Sequence, residues 1–469
     1  MESWDAIVIG AGISGMCAAS LLAGAGKRVL VLEKQDQIGG RATTLSVKIA
    51  GEEYRMDNGS FHAITMADRG ALGVTYERGP GLDKLKLGDL QAGMALFRED
   101  GWWEMKDLVK GENRDDFKRV VESIASMSYE QAELLDTVSF DSWIRQTTRR
   151  QNVYDFFRGV IWTLTTIPYP EEISAGEVLV TMKMSLDSMH RISSGTFGVG
   201  GSINLVKPLA EFITSREGKV CTGMRVSRIL IRKGEVRGVA VDQPLLGVGY
   251  QYPETEEIES PSVIFSVPVW DLFDFVPPTE FPFWFVNTVR SYKSPLPFST
   301  CTMGINFFMA EPVMKDTHHR VAFSLPHSQL SHQCSVVSAS DPTVAPPGRE
   351  WISVGGGYLN EEERADRSKI NAAFEALEED LKVMYPQVFK GRVLARARRL
   401  AWVIDGLKRS PYYTGRHRLP HKAPGVHGLF FAGDTVQTRG CGIDAAARSG
   451  VLCAGAVLGE DIPTFRRSK

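Results

Sequence analysis

A glycine turn near the start of the chain constrains the fold more than any other feature. An apolar run at residues 5–10 ends in Gly10, and Gly12 and Gly15 come next. A small-residue stretch then leads to a second apolar run at residues 28–33. Continuous apolar runs are typical of buried parallel strands. The segment therefore predicts a strand–helix–strand unit of an α/β fold with a Rossmann-like domain.

Each glycine of this turn has a separate physical role in a dinucleotide site. Gly10 permits the tight turn, Gly12 lets the backbone approach a pyrophosphate, and Gly15 lets the helix pack closely on the strand. The helix N-terminus then offers N–H groups and a partial positive charge to phosphates. Glu33 follows Gly10 at about the 20-residue spacing expected of an acid that binds a ribose hydroxyl. The alternative is a glycine turn that serves packing alone.

The acid and the residues after it narrow the choice of dinucleotide. An acid at Glu33 disfavours a 2′-phosphate, which argues against NADP and leaves NAD and FAD. Gly39, Gly40 and Arg41 follow directly. The guanidinium of Arg41 is suited to a phosphate oxygen. An ordinary surface charge is the alternative for this arginine.

Two further glycine blocks lie in the middle and at the end of the chain. Residues 198–201 precede a predicted helix at 202–214, and two predicted strands follow at 225–232 and 235–241. A final strand, 429–434, ends in Gly433-Asp434 and leads through Gly440-Cys441-Gly442 to a helix at 445–458. Helices are also predicted at 114–135 and 361–385, the second from apolar residues that recur at helical spacing on one face. Glycine blocks so far apart predict an interleaved fold of two domains.

Charge and cysteine usage exclude several classes of protein. The 54 Lys and Arg residues against 56 Asp and Glu give a net charge of −2, which argues against nucleic-acid binding. The six cysteines show neither metal-ligand spacing nor a disulfide framework, so we expect no metal site and a reducing compartment. Prolines and acids interrupt the apolar segment 263–289, so we do not expect it to span a membrane. Residues 1–5 carry no secretory signal. We therefore expect a cytoplasmic protein.

Four blocks in family order give the chain a resemblance to a known superfamily. The first block is Val8–Glu33 with Gly39–Arg41, the second is Asp57–Gly59, the third is Gly198–Gly201 with 223–229, and the fourth is 431–434. Together these blocks resemble the flavin amine oxidase and phytoene desaturase superfamily. The resemblance implies non-covalent FAD. It also implies an FAD-binding domain made of residues 1–70, 195–265 and 395–469, interleaved with a substrate-binding domain of mixed sheet and helices made of residues 71–194 and 266–394.

The resemblance also implies the residues of the cofactor site. Val226 would hold the adenine through its backbone, and Asp434 would bind the ribityl chain. The predicted cofactor-binding residues are Gly10, Ala11, Gly12, Ile13, Ser14, Gly15, Glu33, Lys34, Gly39, Gly40, Arg41, Gly59, Val226, Gly433, Asp434, Gly442 and Ile443.

Departures from the family pattern favour its phytoene desaturase-like branch. Monoamine-type oxidases carry a lysine near the flavin N5 on a strand that matches residues 301–308, which contain none. Gly442 stands where those oxidases have an aromatic residue facing the flavin, and residues 411–413 lack the cysteine that holds a covalent flavin in some relatives. A helix that begins near Ile443 would stabilise negative charge on the reduced flavin. Close packing of that helix is the alternative for this glycine block.

Acid–base candidates are few. Five side chains that could transfer a proton lie near the family blocks: His62, Asp405, Tyr412, Tyr413 and Arg439. A structural or substrate-positioning role is the alternative for each. Hydride removal next to a nitrogen needs correct placement more than a protein base.

The aromatic residues between 265 and 308 suggest either an apolar substrate chamber, with a peripheral membrane contact, or the ordinary core of the second domain.

The leading hypothesis is an FAD-dependent oxidoreductase that transfers a hydride from a largely apolar substrate to flavin N5 and forms a C=C or C=N bond. Oxygen or a quinone would be the electron acceptor. Carbon–carbon desaturation leads amine oxidation, and a flavin-dependent isomerase is a third variant. A non-enzymatic binding protein like the escort proteins of small GTPases shares the fold, but it would not need the complete glycine and Glu33 set.

Overall fold

The computed structural model describes residues 3–58, 64–89, 93–98, 101–165, 167–192, 195–242, 255–292, 302–316, 318–359, 361–401 and 406–467. Three residues named above, Gly59, His62 and Asp405, lie outside these ranges, and so their predicted roles stay predictions.

The described strands and helices alternate along the chain. In chain order the strands are β1 (Ala6–Ile9), β2 (Val29–Leu32), β3 (Thr44–Ile49), β4 (Glu52–Asp57), β5 (Leu87–Asp89), β6 (Met94–Arg98), β7 (Gly101–Glu104), β8 (Thr196–Gly198), β9 (Lys219–Cys221), β10 (Arg225–Arg232), β11 (Glu235–Asp242), β12 (Thr255–Glu259), β13 (Val263–Phe265), β14 (Thr302–Met309), β15 (His319–Ala322), β16 (His332–Val336), β17 (Glu350–Tyr358), β18 (Val393–Ala401) and β19 (Leu429–Phe431). The helices are α1 (Ile13–Gly24), α2 (Ala71–Arg78), α3 (Met105–Leu108), α4 (Arg114–Ser126), α5 (Tyr129–Glu133), α6 (Phe140–Thr147), α7 (Gln151–Thr165), α8 (Ala175–Met189), α9 (Lys207–Ser215), α10 (Phe283–Ser291), α11 (Val337–Ser340), α12 (Glu361–Ala365), α13 (Arg367–Met384), α14 (Pro386–Lys390) and α15 (Gly442–Leu458).

A five-stranded parallel sheet joins the start, middle and end of the chain. Its strand order is β19-β13-β1-β2-β9. Side chains of β1 alternate between its two faces: Val8 packs with α1 and α15, whereas Ile7 packs with Phe285 and Phe431. Both faces are therefore covered, which explains why the strands are continuous apolar runs.

A second, mixed sheet has seven strands in the order β18-β14-β17-β16-β15-β6-β7. Its pairings are antiparallel except that between β15 and β6. Helix α13 packs on one face of this sheet through Phe374 and Leu377. The other face meets the β3–β4 hairpin, where the rings of Tyr54 and Phe308 lie 5.0 Å apart. The predicted α/β class, with a parallel sheet and a mixed sheet, is confirmed.

Three predicted helices are broken. The segment 114–135 divides into α4 and α5 because Ser128 and Gln131 form a capping box that starts a new helix. The segment 361–385 divides at Asp366, whose side chain caps α13. The segment 202–214 begins as a short 3₁₀ turn before α9. The predicted strands β10 and β11 are confirmed.

The division into two domains stays a proposal. The parallel sheet takes strands from all three segments assigned to the FAD-binding domain. Three elements next to the proposed boundaries pack with the other unit: α2 packs with α1 and α15, Leu272 packs with Phe265, and β18 belongs to the seven-stranded sheet. These contacts favour boundaries after α2, after α10 and after β18.

Candidate FAD site

The glycine turn between β1 and α1 has the geometry that its sequence predicts. Gly10 has φ +101°, which favours glycine, and its N–H donates to the Leu32 carbonyl at 2.8 Å. A Cβ on Gly15 would lie 2.2 Å from the Gly10 carbonyl oxygen, so a side chain there would push α1 away from the turn. A Cβ on Gly12 would have no atom within 4 Å. The structure therefore leaves open space at Gly12 and none at Gly15.

The neighbours of these glycines are buried and form part of the core. Ala11, Ile13 and Ser14 are at most 8% exposed. Their backbone at the start of α1 is what remains available to a ligand, because Gly12 caps the helix without a side-chain hydrogen bond. A helix N-terminus of this kind favours anions.

Glu33 is fixed by the backbone around it. Its carboxylate accepts hydrogen bonds from the Ala11 and Gln35 N–H groups, both at 2.9 Å, and the residue is buried. Each oxygen keeps a lone pair for a further donor such as a ribose hydroxyl. Met224 N–H donates to the Glu33 carbonyl at 2.8 Å, which places the buried Val226 of β10 nearby. Lys34 is exposed.

Gly39 and Gly40 form a second turn against the first. Their φ angles are +106° and +58°, and Gly39 N–H donates to the Ala11 carbonyl at 2.8 Å. A Cβ on Gly40 would lie 3.3 Å from Gly12 Cα. This close approach carries Arg41 toward the same edge of the sheet as Gly12.

Arg41 reaches the other end of the chain. Its Nη2 donates to Asp434 Oδ2 at 2.8 Å, and Gly406 N–H donates to the same oxygen at 2.7 Å. Burial raises the pKa of the Asp434 carboxyl, but Arg41, Arg409 and the Gly406 N–H lower it by more, so this pKa lies below its usual range. Asp434 is therefore an ionised acceptor at neutral pH.

The segment after Asp434 positions the start of α15. Gly433 has φ +133°, and its N–H donates to Ser449 Oγ at 2.8 Å. Gly442 has φ +50° and begins α15, three residues before the predicted helix at 445–458, and Ile443 in its first turn is buried. A Cβ on Gly433 or on Gly442 would have no atom within 4 Å.

Asp444, in the first turn of α15, holds this helix to the segment before α2. Its Oδ2 accepts hydrogen bonds from the Thr65 N–H and hydroxyl, both at 2.7 Å. Burial raises the pKa of the Asp444 carboxyl despite these bonds. No local sequence pattern predicts this contact, because Thr65 and Asp444 are far apart in the chain.

These residues fit FAD. The space beside Gly12, Gly433 and Gly442 is open, while the polar groups of Glu33, Arg41 and Asp434 lie in the same region as two helix N-termini. Such an arrangement can hold an adenosine ribose, a pyrophosphate and a ribityl chain. The residue roles in this fit are proposals.

The acid–base candidates have separate surroundings. Tyr412 is 63% exposed and has φ +69°, and its ring lies beside His417. Tyr413 is partly buried against the core under the parallel sheet. Arg439 is buried and makes two hydrogen bonds of 2.9 Å to Asp136. These partners hold the Arg439 guanidinium in a buried ion-pair network.

The carboxylates around Arg439 also hold the turn before α15. Glu177 of α8 accepts a hydrogen bond from the Gly440 N–H at 2.6 Å and another from the Thr414 hydroxyl. Cys441, next in the chain, is buried, and its Sγ donates to the Thr163 carbonyl at 3.8 Å. The network thus connects α7 and α8 to the start of α15.

The aromatic segment 265–308 divides between core and surface. Phe265 and Phe285 pack in the core beside Phe431. Phe283 and Trp284 at the start of α10 are 80% and 53% exposed. None of the described helices has the length and apolarity that crossing a bilayer needs.

Known proteins place the chain in a family. The model of the flavin-containing amine oxidoreductase family matches residues 13–458, and the chain belongs to this family. FAD is its cofactor.

Similar proteins include carotenoid enzymes and an amine oxidase. Prolycopene isomerase 1 of an Oncidium hybrid cultivar is 22% identical over 97% of this chain and 83% of its own length. The 15-cis-phytoene desaturase of Solanum lycopersicum is 21% identical over 97% of this chain and 77% of its own length. The structure of putrescine oxidase bound to putrescine, 15% identical, has a TM-score of 0.63 and covers 98% of this chain and 100% of its own. The last likeness shows the fold.

Proposed function

We propose that the protein is an FAD-dependent oxidoreductase that removes a hydride from a largely apolar substrate and forms a C=C or C=N bond. The observation that carries this proposal is the cluster of Gly12, Glu33, Arg41, Asp434 and the start of α15 around open space. Bound FAD supplies the hydride acceptor at N5. Oxygen or a quinone is the proposed electron acceptor.

The chain contributes binding and electrostatics to this reaction. The start of α1 and the Arg41 guanidinium would hold the pyrophosphate, Glu33 the adenosine ribose, Val226 the adenine and Asp434 the ribityl chain. The N-terminus of α15 favours negative charge beside it by a few tenths of a kcal/mol to about 2 kcal/mol. Glu177 and Arg439 act as positioning residues, because they hold the turn that leads into that helix.

Carbon–carbon desaturation is favoured over amine oxidation. Residues 302–309 of β14 contain no lysine, and Gly442 brings no ring to the start of α15. The likeness to carotenoid desaturases and isomerases agrees with this preference. The likeness to putrescine oxidase keeps amine oxidation as the second candidate.

We also propose a cytoplasmic location. The exposed Phe283 and Trp284 would form a peripheral membrane contact.

The first test is the colour of the purified protein. We expect a yellow protein whose flavin absorbance is bleached by dithionite, and acid precipitation should release the colour because no covalent attachment is expected. A colourless protein that cannot be reconstituted with FAD would contradict the proposal and favour an escort-like binding protein. Colour that stays with the precipitated protein would contradict non-covalent binding, and Cys441 would be the first attachment point to examine.

The second step identifies the reaction. Polyenes and amines are added one at a time to the yellow protein without oxygen, and flavin absorbance is followed. We expect polyenes to bleach the flavin and amines to leave it oxidised. Bleaching by amines alone would replace desaturation with amine oxidation. Oxygen consumption with the successful substrate then separates an oxidase from a dehydrogenase.

A further inference from the structure

Arg399 lies across the seven-stranded sheet over two glycines. It belongs to β18 and is opposite Gly304 of β14, which is itself opposite Gly355 of β17. A Cβ on either glycine would lie 3.0 Å from Arg399 Nη2. The guanidinium therefore lies on the bare backbone of the two neighbouring strands, and any side chain at position 304 or 355 would occupy its space.

Among the described residues, Arg399 has no counter-ion. Its Nε is buried and has no hydrogen-bond partner there. The preceding residue, Arg398, points to the other face of the sheet and pairs with Glu378 at 2.9 Å. Burial alone lowers the pKa of Arg399 to about 10, so it stays a cation at neutral pH. The residue as a whole is partly exposed.

A second polar group without a described partner lies on the same face. Thr302 is 2% exposed, and its hydroxyl has no hydrogen-bond partner among the described residues. It lies two residues before Gly304 on β14 and opposite Ala401 of β18. Side chains two apart on a strand share a face, as do directly opposed residues of antiparallel strands. Thr302 and Arg399 therefore face the same side.

The end of the sheet that carries Arg399 is joined to the candidate FAD site by a short connection. Further along the same face, Phe308 packs on Tyr54 of the hairpin that follows Arg41. Strand β18 ends at Ala401, and five residues later the Gly406 N–H donates to Asp434. Five residues span at most about 18 Å, so the end of the sheet that carries Arg399 is close to Asp434.

A guanidinium whose Nε is buried and a buried hydroxyl, both without partners among the described residues, are costly to retain in a folded protein. We propose that Arg399 and Thr302 bind a carboxylate group of the substrate, which is therefore an amphiphile with an anionic end and an apolar body. The planar guanidinium fork pairs with a carboxylate through two parallel hydrogen bonds, and the threonine hydroxyl can donate a third. The inference rests on the proposed function and narrows its substrate class.

The test measures carboxylate binding directly by titration calorimetry on the FAD-loaded protein. Sodium octanoate and 1-octanol are the two probes, because they share the apolar chain and differ in the anionic group. We expect octanoate to bind at least tenfold more tightly than octanol. Arg399→Gln should weaken octanoate binding roughly ten- to hundredfold, Thr302→Val severalfold, and neither should change octanol binding.

Arg398→Gln is the matched control. It removes the same type of residue from the adjacent position and the opposite face, and Arg396 remains as a partner for Glu378. Octanoate affinity should not change in this variant. Arg399→Lys keeps the charge without the fork and should recover part of the affinity. If Arg399→Gln fails to fold, Arg399→Lys and Thr302→Val still carry the test.

Octanoate that binds no better than octanol, or equally well to the Arg399→Gln and Arg398→Gln variants, would overturn the inference. Loss of FAD from Arg399→Gln with unchanged octanoate affinity would also overturn it, because Arg399 would then hold the cofactor. The proposed function fails separately, since a colourless protein that cannot be reconstituted contradicts it whatever the calorimetry shows. Octanoate binding that depends on Arg399 in a colourless protein would leave the carboxylate site standing.

Discussion

Gly12 and Gly15 are three residues apart, and the fold itself requires glycine only at position 15. Gly12 has φ −74° and ψ 173°, an extended conformation open to any residue, and free space where a side chain would begin. Gly15 faces the Gly10 carbonyl at a distance that no Cβ could occupy. The second glycine is therefore needed by the fold, whereas for the first we propose a role in FAD binding.

This difference predicts opposite outcomes for two substitutions. Gly12→Val should fold with a melting temperature near that of the wild-type apoprotein but lose FAD, because its side chain would fill the pyrophosphate space. Gly15→Ala should lower stability by about 1–3 kcal/mol through overpacking. Flavin absorbance at 450 nm after desalting and thermal unfolding followed by circular dichroism measure the two effects. Full flavin occupancy in the Gly12→Val protein would mean that the FAD site has been misplaced.

At the scale of the elements, a network of buried charged side chains connects α8 to the turn before α15. Arg439 bridges Asp136 and Glu177, and Glu177 also accepts the Gly440 N–H just before α15 begins. Burial raises the pKa of Asp136, while Arg439 acts to lower it, so the arginine is what favours the ionised carboxylate. Removing one partner of a buried pair is costly, because the other charge stays behind.

We expect Arg439→Met to lower the free energy of unfolding by about 3–5 kcal/mol. Arg439→Lys should recover part of the loss, because it keeps the charge but not the two-pronged geometry. Urea unfolding at saturating FAD measures both variants. The control is Arg145→Met, which breaks the more exposed pair with Asp141 and should cost no more than about 1 kcal/mol. An equal cost for Arg439→Met and Arg145→Met would exclude a buried network of this strength.

Helix boundaries show what local patterns could and could not predict. The sequence predicts a helix across residues 114–135, and both α4 and α5 are helical. The break between them was predictable in principle, because Ser128 and Gln131 have the spacing of a capping box. The extra turn at the start of α15 was not predictable from the sequence, because a glycine is a poor residue to start a helix. In the structure, Gly442 starts this turn with φ +50°.

At the scale of the whole molecule, features confined to one segment were predictable and features assembled from several were not. The glycine turns at 10–15 and 39–41 lie within short stretches, so their geometry followed from residue type and spacing. The position of Arg399 depends on Gly304 and Gly355, which lie on two other strands. No local pattern relates these residues, and the pairing of the strands had to be known first.

The two ends of the chain meet in the Arg41–Asp434 pair, and this contact makes the stability of the whole fold sensitive to acid. Arg41, Arg409 and the Gly406 N–H keep the pKa of Asp434 below its usual range in spite of burial. A carboxyl whose pKa is lowered on folding stabilises the protein above its unfolded pKa. That contribution is lost as the pH falls through the folded pKa, which here lies below the ordinary pKa of an aspartate.

Arg41→Gln should therefore destabilise the protein at pH 7 and progressively less below pH 4. Because 44% of the Arg41 side chain is exposed, we expect a loss of no more than about 1 kcal/mol at pH 7. Urea midpoints of the wild type and the variant, measured from pH 7 to pH 3, give the difference. In an Asp434→Asn background the effect of Arg41→Gln should no longer vary with pH. An equal wild-type advantage at pH 7 in the Asp434 and Asp434→Asn backgrounds would show that Arg41 stabilises the fold by packing, independently of the charge on Asp434.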